Sequence, residues 1–539
     1  MTVRRNILAS WLSHAITLVV GLFLVRYVKD NLGDRGYGAW IFVSSIAGYS
    51  GLLYMGFGAA VCRFSSIHYT KQDWPALNRT LSSIAAVYGI NSFIALTGAA
   101  IAAAAAPWIS NWDGQSITEV RQVFLLLGLN AALGLWGSVF SGLLIGIQRF
   151  DIHRAAVIAA TLTRVVIVVV GLHYAPRLLV MAGAFLAITV LENTIYYVAA
   201  HRLVPSLHIA RKHVSWDAFR ECGGFTIFNA VRMVSEYLIY LTDTVVIGCV
   251  LGPAATVPYY IALRLCQMVQ SPLENIAEVI LPKTGELEAS GRRDQLRRLV
   301  LLGSGVSLLL VAGFGIGVWY FGERLLLTWL GPGNQSSAPI LMILVLASMI
   351  LMPLRVPKYA LMGIGKIRFP ATIDAAQAVA NLVLSLILVR YWGVIGVAWG
   401  TLIPVAFCEL GVLLPYCCRT LGIRPAEILR LTILPQVMPL LALWGFCEGV
   451  TRLDLPNNWL SLIGIAAGGG GVAIGLAWLQ HRYLTNRDRS RDDVELEPAS
   501  VPISTATVPS GPQPLPFTAD CAEECDDEPV CDSKTLVTT

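Results

Sequence analysis

The sequence predicts an all-α polytopic membrane protein of about 14 transmembrane helices. Two parallel six-helix repeats surround a central cavity, and two further helices follow at the C-terminal end. Three observations predict this class. Mean hydropathy is +0.65, with 55% hydrophobic and only 14% charged residues, whereas soluble domains carry roughly 25% charged residues. Apolar stretches near the ~20 residues needed to cross a bilayer follow one another through most of the 539 residues. The chain also repeats itself: Gly146, Arg149 and Phe150 recur as Gly365, Arg368 and Phe369, and Gly33 as Gly252, each 219 residues on. The same spacing lays the basic stretch 71–81 on 290–300.

In order, the expected spans are 6–28, 36–61, 82–106, 121–145, 155–174 and 178–200 in the first half. The second half supplies 225–250, 254–281, 299–321, 339–361, 371–391 and 394–417, and 431–449 and 459–479 follow. The seventh and eighth carry enough charge for hydropathy alone to miss one of them, but the repeat aligns them with the first two. Expected domains are therefore 1–219, 220–430, 431–482 and a polar tail, 483–539. The tail is rich in Pro, Ser, Thr and acidic residues, a composition that favours disorder.

Lys and Arg set the orientation, because cytoplasmic loops retain them. One set of alternate loops holds Arg4, Arg5, Arg63, Lys71, Arg79, Arg149, Arg154, Arg202, Arg211, Lys212, Arg220, the 283–298 cluster, Lys366, Arg368, Arg419, Arg424, Arg430 and the 482–491 run. The other set holds few, among them Lys29, Arg35, Arg121 and Arg324. Both termini are expected in the cytoplasm, and an even number of spans per repeat gives the halves the same orientation. The formal charge of +5 is topological and does not point to nucleic acid. No cleavable signal peptide is expected. Most of the eleven cysteines fall in or beside spans as apolar fillers, histidines lack metal spacing, and no phosphate-binding Walker loop occurs. The pattern has no catalytic character and calls for no cofactor beyond a coupling cation, H+ or Na+.

Ionisable residues within a span are costly and each needs a reason. Arg232, Glu236 and Asp243 fall on one stripe of the seventh span at about 100° per residue. Arg264, Gln267, Ser271, Asn275 and Glu278 form a polar face on the eighth. Depth allows Asp243 to pair with Arg264, and Arg26, near the end of the first span, to project into the same cavity. Arg164, Glu192, Asp374 and Glu409 are further candidates, each open to the alternative of a structural ion pair or a snorkelling side chain.

Leu32-Gly33, Tyr37-Gly38-Ala39-Trp40 and Gly51-Leu52-Leu53 with Gly56, Gly58 and Arg63 resemble the N-terminal signature of bacterial polysaccharide transporters of the O-antigen flippase type. The run 241–248 with Asp243, followed by Leu251-Gly252 and Tyr259, resembles the start of that family's second half. These motifs belong to the multidrug, oligosaccharidyl-lipid and polysaccharide exporter superfamily, and the similarity extends over roughly the first 480 residues. The acidic residue that many such proteins carry before Gly56 is Tyr54 here, so no ion site in the second span is carried over.

The resemblance implies a flippase that moves undecaprenyl-diphosphate-linked oligosaccharide across a bacterial inner membrane for O-antigen, capsule or exopolysaccharide synthesis. Membrane lipids surround it, and a polymerase and glycosyltransferases are its implied partners. Arg26, Arg232 and Arg264 would meet the diphosphate, while Glu236 and Asp243 would neutralise them or carry the coupling cation. A multidrug exporter, a peptidoglycan-precursor flippase and a non-transporting assembly partner are the alternatives.

Overall fold

The computed structural model describes residues 2–54, 57–112, 114–217, 220, 234, 237–239, 241–453 and 455–495. Side chains of 2–18, 59, 275–276, 278–279, 481 and 483–495 are outside that description. Arg232 and Glu236 therefore lie outside the described residues, as does the side chain of Glu278. The chain divides into two units, Met1–Arg482 and Tyr483–Thr539, and the first of them holds the helical body.

Among the described residues every regular element is helical. The first half comprises α1 (Thr2–Gly48), α2 (Phe57–Thr70), α3 (Trp74–Ile109), α4 (Ile117–Gly146), α5 (Phe150–Tyr174) and α6 (Leu178–Leu203). Helical residues within Tyr237–Val250 form α7. After it come α8 (Thr256–Ala289), α9 (Arg293–Leu330), α10 (Ser337–Gly363), α11 (Arg368–Val405) and α12 (Leu414–Leu421). The last two are α13 (Pro425–Thr451) and α14 (Trp459–Gln480). Nine described helices are long and apolar enough to cross a membrane, counting Arg368–Leu421 as one run. Neither α7 nor α8 is among them. Large apolar side chains such as Phe93, Trp108, Val166, Trp319 and Phe407 are exposed, as expected where lipid is the solvent.

The duplication is visible in the backbone. α1 turns back on itself at Gly33 (φ 67°), and Gly252 (φ 94°) makes the matching turn between α7 and α8. Both φ values are open to glycine at little cost. At the other end of these hairpins Gln72 (φ 55°) and Gly291 (φ 68°) take the left-handed conformation. Asp73 N–H then donates to the His68 carbonyl at 3.0 Å, as Arg292 N–H does to Leu287 at 2.9 Å. These helix-ending bonds recur at the repeat spacing.

One landmark shifts. A β-carbon at Gly146 would lie 2.6 Å from the Cys62 carbonyl oxygen, and one at Gly363 would lie 2.6 Å from the Leu281 carbonyl oxygen. Gly363, not Gly365, is thus the packing counterpart of Gly146. Gly365 (φ 80°) fills the left-handed turn position that Gln148 (φ 60°) fills in the first half. The second-half segment between these contacts is two residues shorter, and the turn absorbs the difference.

Other boundaries depart from hydropathy because hydrogen-bonded helix continues beyond the apolar zone. α3 starts eight residues before the expected Ser82, with Pro75 in its first turn and the Asp73 side chain accepting from Ala76 N–H at 2.9 Å. The second expected span is interrupted by a 3-10 segment, Tyr49–Tyr54. The eleventh and twelfth are joined through Gly393 (φ 59°) into one kinked helix. Ala406–Leu413 and Ile428–Ile433 are π-helical, which periodicity does not signal.

Three buried clusters place the halves. Near the end that carries the basic turns, Leu77, Leu81, Tyr88, Leu143 and Tyr196 form a first-half core. Leu287, Leu296, Val300, Val356 and Leu413 form a separate second-half core. At the opposite end one cluster spans both halves, with Val28, Tyr37, Trp40, Phe42 and Trp112 against Val246, Ile247, Tyr259, Ile261 and Trp329. The halves are sealed there and have separate cores at the basic end.

Candidate functional site

The seal is made where the signature glycines fall. A β-carbon at Gly38 would lie 2.4 Å from the Pro253 carbonyl oxygen, and one at Gly248 would lie 2.1 Å from the Phe42 ring. At Gly51 a β-carbon would lie 2.2 Å from the Tyr237 hydroxyl. Ser110 Oγ donates to the Gly248 carbonyl at 2.6 Å, and Tyr49 Oη and Thr242 Oγ1 share a hydrogen bond of 2.6 Å. Trp329 Nε1 donates to the Leu22 carbonyl at 2.9 Å, tying α9 to α1. Gly38, Gly51 and Gly248 are therefore points at which the two halves touch.

Behind this seal lie two of the expected arginines. Arg264 is half-buried on α8, and a β-carbon at Gly21 of α1 would lie 3.5 Å from its Nη2. Its guanidinium thus rests on the backbone of the other half, with Nη1 3.5 Å from Gln267 Oε1. Arg164 of α5 stacks over the Phe185 ring at 4.8 Å, and its buried Nε has no hydrogen-bond partner. Arg164 is within electrostatic range of both Arg264 and Glu192 of α6. Two cations from opposite halves and one carboxylate face the same interior.

Glu192 also lines a cavity of about 520 Å³ within the first half. Its walls include Gly51, Tyr54, Asn130, Gly134, Ser138, His153, Asn193 and Tyr196. The buried Asn130 Oδ1 and His153 Nδ1 have no partner there. Small residues give the cavity its volume; hydroxyls, amides and aromatic rings give it a mixed surface suited to a hydroxyl-rich ligand.

Asp243 is placed differently from its expectation. It is 1% exposed and does not pair with Arg264. Tyr259 Oη donates to its Oδ2 at 2.5 Å, Thr401 Oγ1 to Oδ2 at 2.7 Å, and Ser385 Oγ to Oδ1 at 2.9 Å. Asn381 Nδ2 lies 3.1 Å from Thr401 Oγ1, and its buried Oδ1 has no partner. The carboxylate is thus held by hydroxyls from α8 and both arms of α11. Hydroxyls are ordinary in apolar helices, so sequence alone did not single them out. Their one signal is that Asn381 and Ser385 share a helix face, four residues apart.

Arg26 is also corrected. It is exposed, with Nε 3.7 Å from Asp30 Oδ2 and Nη1 donating to the Thr328 carbonyl at 3.3 Å. It braces α1 against α9, because its neighbours Val25 and Val28 take the buried face. It does not join Asp243. Asp374 and Glu409, by contrast, converge on Lys358, which sequence reading overlooked. Arg355 and Lys358, three residues apart in an apolar run, were the available signal.

Against known proteins, residues 52–339 match the polysaccharide biosynthesis protein family. A putative O-antigen transporter of Shigella flexneri is 20% identical over 411 residues, covering 74% of this chain and 94% of that one. Among solved structures, the lipid II flippase MurJ in an inward closed conformation superimposes with a TM-score of 0.66 at 13% identity, over 89% of this chain and 99% of that one. An inward-facing multidrug resistance MATE family transporter gives 0.61 at 13% identity, over 76% and 98%.

Proposed function

Since the chain belongs to the polysaccharide biosynthesis protein family, we propose that it is a flippase for a polyprenyl-diphosphate-linked oligosaccharide. In a bacterium the lipid is undecaprenyl, and the route runs from the cytoplasmic to the outer leaflet of the inner membrane, supplying O-antigen, capsule or exopolysaccharide synthesis. The observation that carries this reading is the approach of Arg164 and Arg264 from opposite halves, with Glu192 alone among described carboxylates in range of Arg164. An anionic diphosphate would add negative charge to this excess of cations through charge-assisted hydrogen bonds. The adjacent 520 Å³ cavity, within the ~300–1,000 Å³ range of ligand pockets, offers hydroxyl and amide partners to sugar rings. A drug exporter for cationic compounds would be repelled by the same two arginines.

In this reading the seal at Gly38, Gly51 and Gly248 and the parted cores at the basic end belong to the state that loads from the cytoplasm. Opening the seal and closing the basic end would present the cargo to the other leaflet, the halves rocking as repeats do. The Asp243 cage is the proposed coupling site. Its carboxylate, Ser385, Thr401 and the unpartnered Asn381 Oδ1 form an all-oxygen set that fits H+ or Na+. Cargo and cation would then be bound apart, since Arg264 of α8 and Asp243 of α7 have separate partners.

Loss of the gene tests the cargo. Cells lacking the chain should accumulate lipid-linked oligosaccharide in the inner leaflet and lose surface polysaccharide, with wild-type chain restoring both. Normal surface glycan in the deletion, without another flippase present, would contradict the proposal.

A further inference from the structure

Lys358 of α10 is 4% exposed, and its ammonium donates to Asp374 of α11 and, at 3.1 Å, to Glu409 Oε1. Glu409 is 1% exposed, and its second oxygen, Oε2, is buried with no partner. One ammonium thus faces two carboxylates where burial penalises unpaired charge. Of the groups packed around them, Arg355 Nη2 is 3.5 Å from Glu274 of α8. Cys408 and Cys417 are the titratable neighbours on Glu409's own helical run and add no positive charge. Asp243, across a small cavity, adds another carboxylate. Among the described side chains no second cation is paired with Glu409.

Two independent features mark the cluster as more than a brace. Glu409 sits in the π-helical segment Ala406–Leu413, and such segments recur at functional sites. The cavity, of about 50 Å³, is lined by Asp243, Tyr259, Gln270, Lys358, Asp374 and Gln377, large enough for water. Gln377 is buried and its Oε1 has no partner. Water there would connect the Lys358 cluster to the hydroxyl cage of Asp243.

We propose that the Lys358–Asp374–Glu409 cluster is a proton-binding site, with Glu409 holding an exchangeable proton on Oε2. Protonation leaves one ammonium facing one ionised carboxylate, Asp374, and a neutral acid. Release of the proton to water restores the excess negative charge and tightens both carboxylates on Lys358; Lys358 and Asp374 line the cavity, and Glu409 stands behind them. The site is separate from the Asp243 cage and does not depend on which lipid-linked cargo is carried.

Proton uptake by purified full-length protein, titrated from mildly alkaline to mildly acidic solution, tests this without any transport step. Glu409→Gln should take up one proton fewer than wild type and lose one infrared carbonyl stretch of a protonated carboxyl. Wild-type uptake together with an unchanged stretch would overturn the proposal. Should Glu409→Gln not fold, Lys358→Met provides the second reading. With the ammonium gone, a second carboxyl should become protonated, increasing the stretch already present in wild type. A cluster stretch that is absent from wild type and appears only in Lys358→Met would overturn it equally.

Discussion

Gly38 and Pro253 meet backbone to backbone across the two halves, so that a β-carbon at position 38 would lie 2.4 Å from the Pro253 carbonyl oxygen. No side chain can rotate away from a carbonyl, and the seal must part to admit even one methyl. Overpacking of this kind costs about 1–3 kcal/mol. Gly38→Ala should therefore shift population toward a state open at the sealed end. Spin labels at Asn111 and Leu251, exposed positions on either side of the seam, should gain a longer distance component. An unchanged distance distribution would show that the seam yields without opening.

Arg264 and Asp243 have separate partners, and their substitutions should behave independently. Arg264→Ala should lower glycan transport by roughly tenfold or more at near-normal abundance, with Arg264→Lys recovering only part because an ammonium lacks the planar fork. Adding Asp243→Asn should not rescue it, and the coupling energy should stay within about 0.5 kcal/mol. Restoration by the double substitution would reinstate a direct pair.

Thr401 supplies one of three hydroxyls to Asp243. A hydrogen bond donated to the carboxylate stabilises its ionised form by about 1.5–3 kcal/mol, so Thr401→Val should shift the driving cation's apparent affinity by about tenfold or more, tighter for H+, which the lost bond no longer opposes, and weaker for Na+, which loses an oxygen ligand, whereas Thr401→Ser should stay close to wild type. Transport rate against Na+ concentration, and against pH in its absence, also identifies the ion. Identical cation dependence in wild type and Thr401→Val would remove the cage from the coupling step.

Much of the fold was legible because the bilayer reduces it to hydropathy, basic-loop alternation and repeat spacing. The repeat read from Gly33 and Gly252 is repeated by the backbone, since positive φ with extended ψ (175° at Gly33 and 159° at Gly252) admits little but glycine. The Gly146–Gly365 alignment was displaced because sequence identity in a turn does not report which residue packs against the neighbouring helix. Site residues were less legible. Arg164, Arg264 and Glu192 stood out as charges in apolar runs, and the structure brings Arg164 within range of the other two. Ser385, Thr401 and Asn381 did not, because partners from different arms of a kinked helix share no sequence period. Arg26 was misplaced because span depth fixes height in the membrane but not the direction a side chain takes around the helix.

Sidedness is open to direct labelling. A single cysteine at Gln335 should react with an impermeant maleimide in intact cells, and one at Arg211 only after permeabilisation, both residues being exposed. The reverse pattern would invert the proposed direction of loading.

Flipping of the lipid-linked glycan is tested most directly in proteoliposomes containing the full-length protein and a fluorescent polyprenyl-diphosphate oligosaccharide. A lectin added outside reports how much glycan faces outward as a function of time. The proposed function predicts a protein-dependent change in lectin-accessible glycan that is strongly reduced in Arg264→Ala. Equal accessibility with wild type, Arg264→Ala and protein-free vesicles, the reconstituted wild type being folded and a cation gradient imposed, would contradict it.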